Sequence, residues 1–383
     1  MNALPVNEFI LKVASRCNLD CDYCYEYHLG DDSWRRQPAF MSIETASRAA
    51  ERIAEHARTH ALPRILISFH GGEPMLAGAE RIDGIARVLR ERLEPIAPVD
   101  LAMQSNATLV DDELLRVLET HRIFVGVSID GPREANDLHR LDHAGRSSFD
   151  ATLRGIQALR SRRLLQGILS VIDVRTDPLA CFDFLASVGV EHVDFLLPHH
   201  NWTRPPYRPD ADGPPAYGEW IARIWRAWLD GRHAWMKIRY LDQIVRGLVG
   251  APGLFEGLGL DPIQLLVLTT DGALEGVDTL KSCGDEQQRL DLSLFDVSID
   301  AVLRHRRYLH RQQGALSLAP ECQSCPELRI CGGGYLPHRY AGDGGFTAPS
   351  VYCADILHLI RTMRGDVQAR ARRHSPADEE PRP

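Results

Sequence analysis

The chain has 383 residues, a formal net charge of −8 at pH 7 and 44% hydrophobic residues, enough for a sizeable core and two or three domains. Arginine outnumbers lysine 41 to 3 while acids outnumber both together, so no overall basic field for nucleic acid exists. No apolar run approaches the roughly 18 residues of a membrane span, and nine cysteines without an N-terminal signal peptide do not form a disulfide framework.

The first predicted strand, 8–14, runs into Cys17-Asn18-Leu19-Asp20-Cys21-Asp22-Tyr23-Cys24. Three thiolates on one short loop can hold three irons of a [4Fe-4S] cube and leave the fourth iron open to a small-molecule ligand. Structural zinc wants four protein ligands, usually as two short pairs, and no fourth cysteine is near.

Helix 42–60 follows, with Ser42 as cap and alanine and isoleucine at helical spacing. Strand 64–70 ends at His70 and leads into Gly71-Gly72-Glu73-Pro74. Two glycines let the backbone approach a ligand, and a carboxylate there can pair with an ammonium group; an ordinary strand-to-helix turn is the alternative. Then come helix 79–93, strand 99–104 with Ser105 and Asn106 at its end, helix 111–121, and strand 123–128 ending in Ser128 and Asp130. Arg140 is placed to partner a carboxylate. Helix 148–162, strand 166–172, helix 178–188 and strand 192–197 complete six strands with intervening helices. This is an α/β pattern, a partial parallel (β/α)6 barrel of TIM type, whose strand C-termini face the mouth where ligands bind.

The pattern breaks over 198–215, which holds His199, His200, Trp202 and six prolines. The histidines are expected to line or close the mouth. Trp220, Trp225 and Trp228 on the next helix read as core packing, as does Cys181. Near the C-terminus, Cys322, Cys325, Cys331 and Cys353 can complete a second cube or a structural zinc site.

The cysteine triplet with Tyr23 directly before Cys24, followed in order by Gly71 to Pro74, resembles the signature of radical S-adenosylmethionine (SAM) enzymes. The resemblance implies a [4Fe-4S] cluster on Cys17, Cys21 and Cys24, its open iron chelated by S-adenosylmethionine. It also implies cosubstrate contacts from Tyr23, His70, Gly71, Gly72, Glu73, Pro74, Ser105, Asn106, Ser128, Asp130 and Arg140, with Glu73 on the methionine amino group. The four C-terminal cysteines resemble the later half of a SPASM domain, which implies one auxiliary iron-sulfur cluster, taken as [4Fe-4S]. The full pattern has a further cysteine where Tyr335 stands and three where only Cys283 remains. A second auxiliary cluster is therefore expected to be lost, leaving Cys283 as a spare ligand or a buried thiol.

Residues 25–34, 278–281 and 331–340 resemble the FxsB-like maturases, which form three-residue cyclophanes in ribosomally made precursor peptides. This implies a radical SAM oxidoreductase that joins an aromatic ring carbon to a side-chain β-carbon, with Asp278 as the base, or else as a loop residue paired with Lys281. Formylglycine formation and thioether crosslinking are the other chemistries of this architecture. The intact triplet and Gly71 to Glu73 argue against a silent peptide-binding subunit. Expected partners are the precursor peptide and an external electron donor of flavodoxin or ferredoxin type, without nucleic acid or membrane, in a reducing cytoplasm. With 16 residues before Cys17, leader recognition falls to the barrel mouth, residues 198–248 or another protein. The expected organisation is a barrel over 1–197, a helical bridge over 198–262, an auxiliary-cluster domain over 263–362 and a disordered tail over 363–383.

Overall fold

The computed structural model describes residues 4–210, 213, 215–253, 256–284 and 287–374. Its six expected parallel strands are β1 (Glu8–Ala14), β2 (Ile65–Gly71), β3 (Val99–Ser105), β4 (Ile123–Ser128), β5 (Leu165–Val171) and β6 (His192–Leu196), paired side by side in that order. Along β2 and β3 every second residue is buried, the period expected when one face packs under helices.

Parallel neighbours need crossovers, supplied by α1 (Ile43–Thr59), α2 (Ala79–Leu93), α3 (Asp112–Thr120), the short α4 (Arg133–Asn136) with α5 (Phe149–Ser161), and α6 (Pro178–Ser187). Ser42 caps α1, its hydroxyl accepting the Thr45 N–H at 3.0 Å. Asp111 does the same for α3 through Leu114 N–H at 2.8 Å. The core between sheet and helices includes Phe9, Leu11, Ile53, Ile67, Phe69, Leu89 and Val125, all fully buried.

The sheet is larger than the six strands. β7 (Lys237–Ile238) adds to β6, while β8 (Leu265–Leu268) lies parallel against the outer side of β1, followed by antiparallel β9 (Ala273–Glu275) and β10 (Arg289–Ser293). One ten-stranded sheet thus runs across positions 197 and 263. An uncovered β1 would present a row of unpaired backbone groups; Leu266 and Leu268, both fully buried, close that edge.

Between β6 and β8, α7 (Ala216–Leu229) and α8 (Arg239–Leu248) pack on the barrel. Trp220 and Trp225 are buried, and the three indole N–H groups of Trp220, Trp225 and Trp228 donate to Thr176 O, Asp366 and Met236 O. The C-terminal part is built of short helices, α9 (Arg306–His310), α10 (Pro320–Gln323) and α11 (Leu328–Cys331), and the long α12 (Cys353–His374). The expected tail from 363 is a departure: α12 continues to His374 because Met363 is fully buried and Asp366 receives the Trp225 indole at 3.0 Å. The rest of that tail, 375–383, lies outside the described residues. No helix among the described residues is long and apolar enough to cross a membrane.

Candidate functional site

The loop after β1 carries the three cysteines, and the C-terminal ends of β2, β3 and β4 face it. Cys21 is buried, while Cys17 and Cys24 are half-buried. Burial first, then Glu26 and Cys21, pushes the Cys24 thiol up to about 12, and burial with Glu73 raises Cys17 further. A thiolate set in this place needs a cation of its own, which an iron cluster supplies.

Glu73 sits on the floor of the site, 1% exposed. Its carboxylate accepts the Ser105 hydroxyl at 2.7 Å, the Asn106 backbone N–H at 2.7 Å and the Met75 N–H at 2.9 Å. Ser105 is thus committed to orienting Glu73. Burial raises the carboxyl and these three donors oppose that rise, so the group is a prepared acceptor for an ammonium ligand. Pro74 opens the short turn Pro74–Ala77 that carries Met75. The Asn106 side chain donates to Asn18 Oδ1 at 2.9 Å and so ties β3 to the cysteine loop.

Both glycines are dictated by close approach. A Cβ on Gly71 would stand 2.1 Å from Ala14 O, and one on Gly72 would stand 1.9 Å from the Tyr27 hydroxyl and 2.4 Å from Arg16 O. Gly72→Ala should therefore destabilise the fold by at least ~2 kcal/mol, read as a lowered denaturation midpoint. An unchanged midpoint would show that the loop yields.

A second group forms on the β4 side. The Tyr23 hydroxyl donates to Asp130 at 2.6 Å and accepts from Arg140 at 2.8 Å. Asp130 also accepts the Val171 N–H at 2.9 Å. Arg140 is 6% exposed and its Nε has no hydrogen-bond partner, leaving it a donor for an anion. Ser128 accepts from Gln104 at 2.9 Å.

The third group joins the barrel to the C-terminal region. Asp278 opens the 3-10 turn Asp278–Cys283 and is paired with Lys12 at 2.5 Å, receiving the Tyr25 hydroxyl at 2.9 Å. Lys12 also pairs with Glu26, which meets Lys281 at 2.8 Å; Lys281 lies 3.7 Å from Glu275. The expected Asp278–Lys281 pair is thus replaced: Lys12 reaches Asp278, and Lys281 turns to the two glutamates. Burial alone would raise Asp278, but Lys12 and then His70 hold it well below the usual carboxylate range. Burial raises Glu275 to about 7. His70 stands 3.4 Å from Lys12 Nζ and 3.7 Å from Asp278, its pKa lowered to about 4 by burial and Lys12; it belongs to this group, not to Glu73's. Facing it, His199 packs on Tyr25, Tyr335 and His338 at 5.1, 6.0 and 6.0 Å between ring centroids.

Lys12 escapes a motif reading, and no spacing marks its grouping with Tyr25, Glu26 and Lys281. The available signal is scarcity: two of the chain's three lysines are here, Lys12 inside an apolar strand.

The C-terminal cysteines come from α10 (Cys322), the loop after it (Cys325), α11 (Cys331) and the start of α12 (Cys353). Cys331 is buried, its thiol raised to about 12 by burial. Beside it Arg339, 6% exposed, has Nε and Nη1 without hydrogen-bond partners; burial lowers it to about 10 while Cys322, Glu256 and Cys331 oppose. A buried guanidinium facing thiols fits an anionic thiolate cluster. Cys283 packs instead with Val277, Leu280, Leu336 and Tyr340 in an apolar cluster, as a buried thiol.

Residues 11–175 match the sequence profile of the Radical SAM superfamily. A serine-type anaerobic sulfatase-maturating enzyme of Klebsiella aerogenes is 26% identical over 95% of this chain and 88% of its own length. A cysteine-type enzyme of the same description from Clostridium perfringens is 22% identical over 91% and 94%. Among solved structures, native anSMEcpe with bound AdoMet superposes with a TM-score of 0.81 at 21% identity, covering 95% of this chain and 99% of that one. Streptococcus suis SuiB bound to precursor peptide SuiA gives 0.63 at 14% identity over 92% and 77%. The chain thus has the radical SAM α/β fold, and its residues 11–175 are similar to the radical SAM superfamily.

Proposed function

We propose that this chain is a radical SAM enzyme that oxidises one residue of a peptide or protein, with chemistry of the sulfatase-maturase type, converting a serine or cysteine side chain to an aldehyde. The observation that carries the reading is Asp278, a buried carboxylate kept ionised by Lys12 at the barrel mouth. The relatives described as sulfatase-maturating enzymes support it, since they align over nearly the whole chain.

Cys17, Cys21 and Cys24 would hold the first cluster, and Cys322, Cys325, Cys331 and Cys353 an auxiliary one. When bound, the first cluster and S-adenosylmethionine would supply the radical chemistry that takes a hydrogen atom from the substrate β-carbon. Glu73, oriented by Ser105 and Asn106, receives the methionine ammonium. Arg140, steadied by Tyr23 and Asp130, faces its carboxylate. Gly71, Gly72 and Pro74 shape the floor, and Ser128 lines the wall. Asp278 would accept the second hydrogen as a proton; an auxiliary cluster on the four C-terminal cysteines would supply an acceptor for the matching electron, and an external donor of flavodoxin or ferredoxin type would reduce the first cluster.

A second reading is carbon-carbon crosslinking of an aromatic ring to a β-carbon in a ribosomally made precursor. It is favoured by the resemblance of residues 25–34 and 331–340 to the FxsB-like maturases, two segments that meet where Tyr25 and Tyr335 both pack on His199. From cysteine the loss of two hydrogens gives a thioaldehyde, which water converts to the aldehyde with release of hydrogen sulfide; from serine both reactions remove two hydrogens, so product mass cannot separate them. Isotopes do: a β-deuterated target residue should pass one deuterium to 5'-deoxyadenosine in either case. Aldehyde formation retains all ring deuterium in neighbouring aromatic residues and yields a hydrazine-reactive product. Loss of one ring deuterium overturns the aldehyde reading in favour of the crosslink.

A further inference from the structure

His56 and His60 stand four residues apart on α1, so their rings share one face. Opposite them is Asp300, in the 3-10 turn Ile299–Arg304. His60 Nε2 lies 3.0 Å from Asp300 Oδ1, and His56 Nδ1 closely contacts the same oxygen. The three donor atoms lie within 4.8 Å of one another.

The other ring nitrogen decides what this cluster requires. His56 Nε2 is 3.0 Å from the Val6 carbonyl oxygen, and a carbonyl only accepts, so Nε2 carries the proton. In the neutral ring Nδ1 then presents a lone pair, and it faces a carboxylate oxygen that presents another. A cation must lie between them, either a second proton or a metal ion. A proton would serve one contact. A metal ion would use both rings and the carboxylate at once. The Val6 carbonyl also supplies the contact that fixes tautomer and orientation in ligating histidines. His56 is 1% exposed, whereas the side chains of His60 and Asp300 are 27% and 31% exposed, so the site opens to solvent where water can complete coordination.

We propose that His56, His60 and Asp300 bind one divalent first-row transition ion, zinc above others, separate from the thiol sites. Two imidazoles and one carboxylate suit such ions, while magnesium and calcium prefer all-oxygen shells. The ion would bridge three segments: the lead into β1 through Val6, α1, and the turn after β10. Arg52 already docks α1 on that region, donating to Leu294 O at 3.0 Å. The ion would therefore clamp the first helix of the barrel to the C-terminal extension, stabilising their contact by mass action.

The test uses full-length protein with its clusters reconstituted, so that the cysteines are occupied, titrated with zinc chloride and followed by calorimetry and thermal melting. One zinc per chain is expected, with a rise in melting temperature. His60→Ala and Asp300→Asn, both at partly exposed positions, should each weaken binding by at least ~100-fold, the upper loss when even a second-shell partner is removed. Iron content and cluster absorbance should stay unchanged. Equal zinc affinity and stoichiometry in wild type and both variants overturns the proposal, and so does a wild-type melting temperature indifferent to zinc, which leaves only a protonated His56 paired with Asp300. If one variant fails to fold, the other decides.

Discussion

Replacing Cys17, Cys21 and Cys24 together by alanine should abolish reductive cleavage of S-adenosylmethionine and leave about half of the iron, if two four-iron clusters are bound. The first loss follows from the position of the triplet, on the loop that Glu73 and Asn106 contact. The retained half follows from the separate anchoring of the other four: α11 is held to α12 by Glu327 and Arg364, and Cys331 is buried with Arg339 beside it. Neither depends on the β1 loop. Anaerobic reconstitution with iron counting and 5'-deoxyadenosine assay reads both. Loss of all iron in a folded variant would mean that the C-terminal thiols hold no cluster, and retained cleavage would remove the triplet from the chemistry.

Asp278→Asn should lower product formation by at least ~100-fold, the range of a lost general base, while 5'-deoxyadenosine release continues. Hydrogen abstraction precedes proton removal, so the two readouts should separate. The substitution is nearly isosteric and leaves the Lys12–Glu26–Lys281 chain in place, so folding should survive; a thermal melt checks this. Lys12→Met is the harsher counterpart, because it strands Asp278 as a buried charge and leaves Glu26 with Lys281 alone, at a cost of about 3–5 kcal/mol. Normal product from a folded Asp278→Asn protein would assign the proton to another group.

The six barrel strands were legible because apolar runs alternate with helices, three of which start at a side-chain cap, Ser42, Asp111 and Asp177. β7 to β10 were not, since strands of two to five residues, such as Leu265–Leu268, leave no period to read. The helix beyond 363 was hidden because the contacts that order it, Met363 in the core and Asp366 on Trp225, come from a distant part of the chain. The same division runs through the site. Cys17 to Cys24 and Gly71 to Pro74 are contiguous, so spacing announces them. The Lys12–Asp278 and Glu26–Lys281 pairs join positions more than 250 residues apart, and no local pattern encodes such a pairing. Asp278 could be singled out, but its partner could not.

The pairing of β1 with β8 also bears on how the chain is made. β1 leaves the ribosome well before its outer neighbour, which aligns Glu8 with Leu265 and is synthesised only after the whole barrel. Throughout that interval the nascent barrel carries an open strand edge, of the kind that recruits other chains. A contact of such sequence separation is also slow to close. The C-terminal region is therefore the piece whose arrival makes the barrel safe from aggregation, and fragments ending near residue 197 inherit the exposed edge permanently.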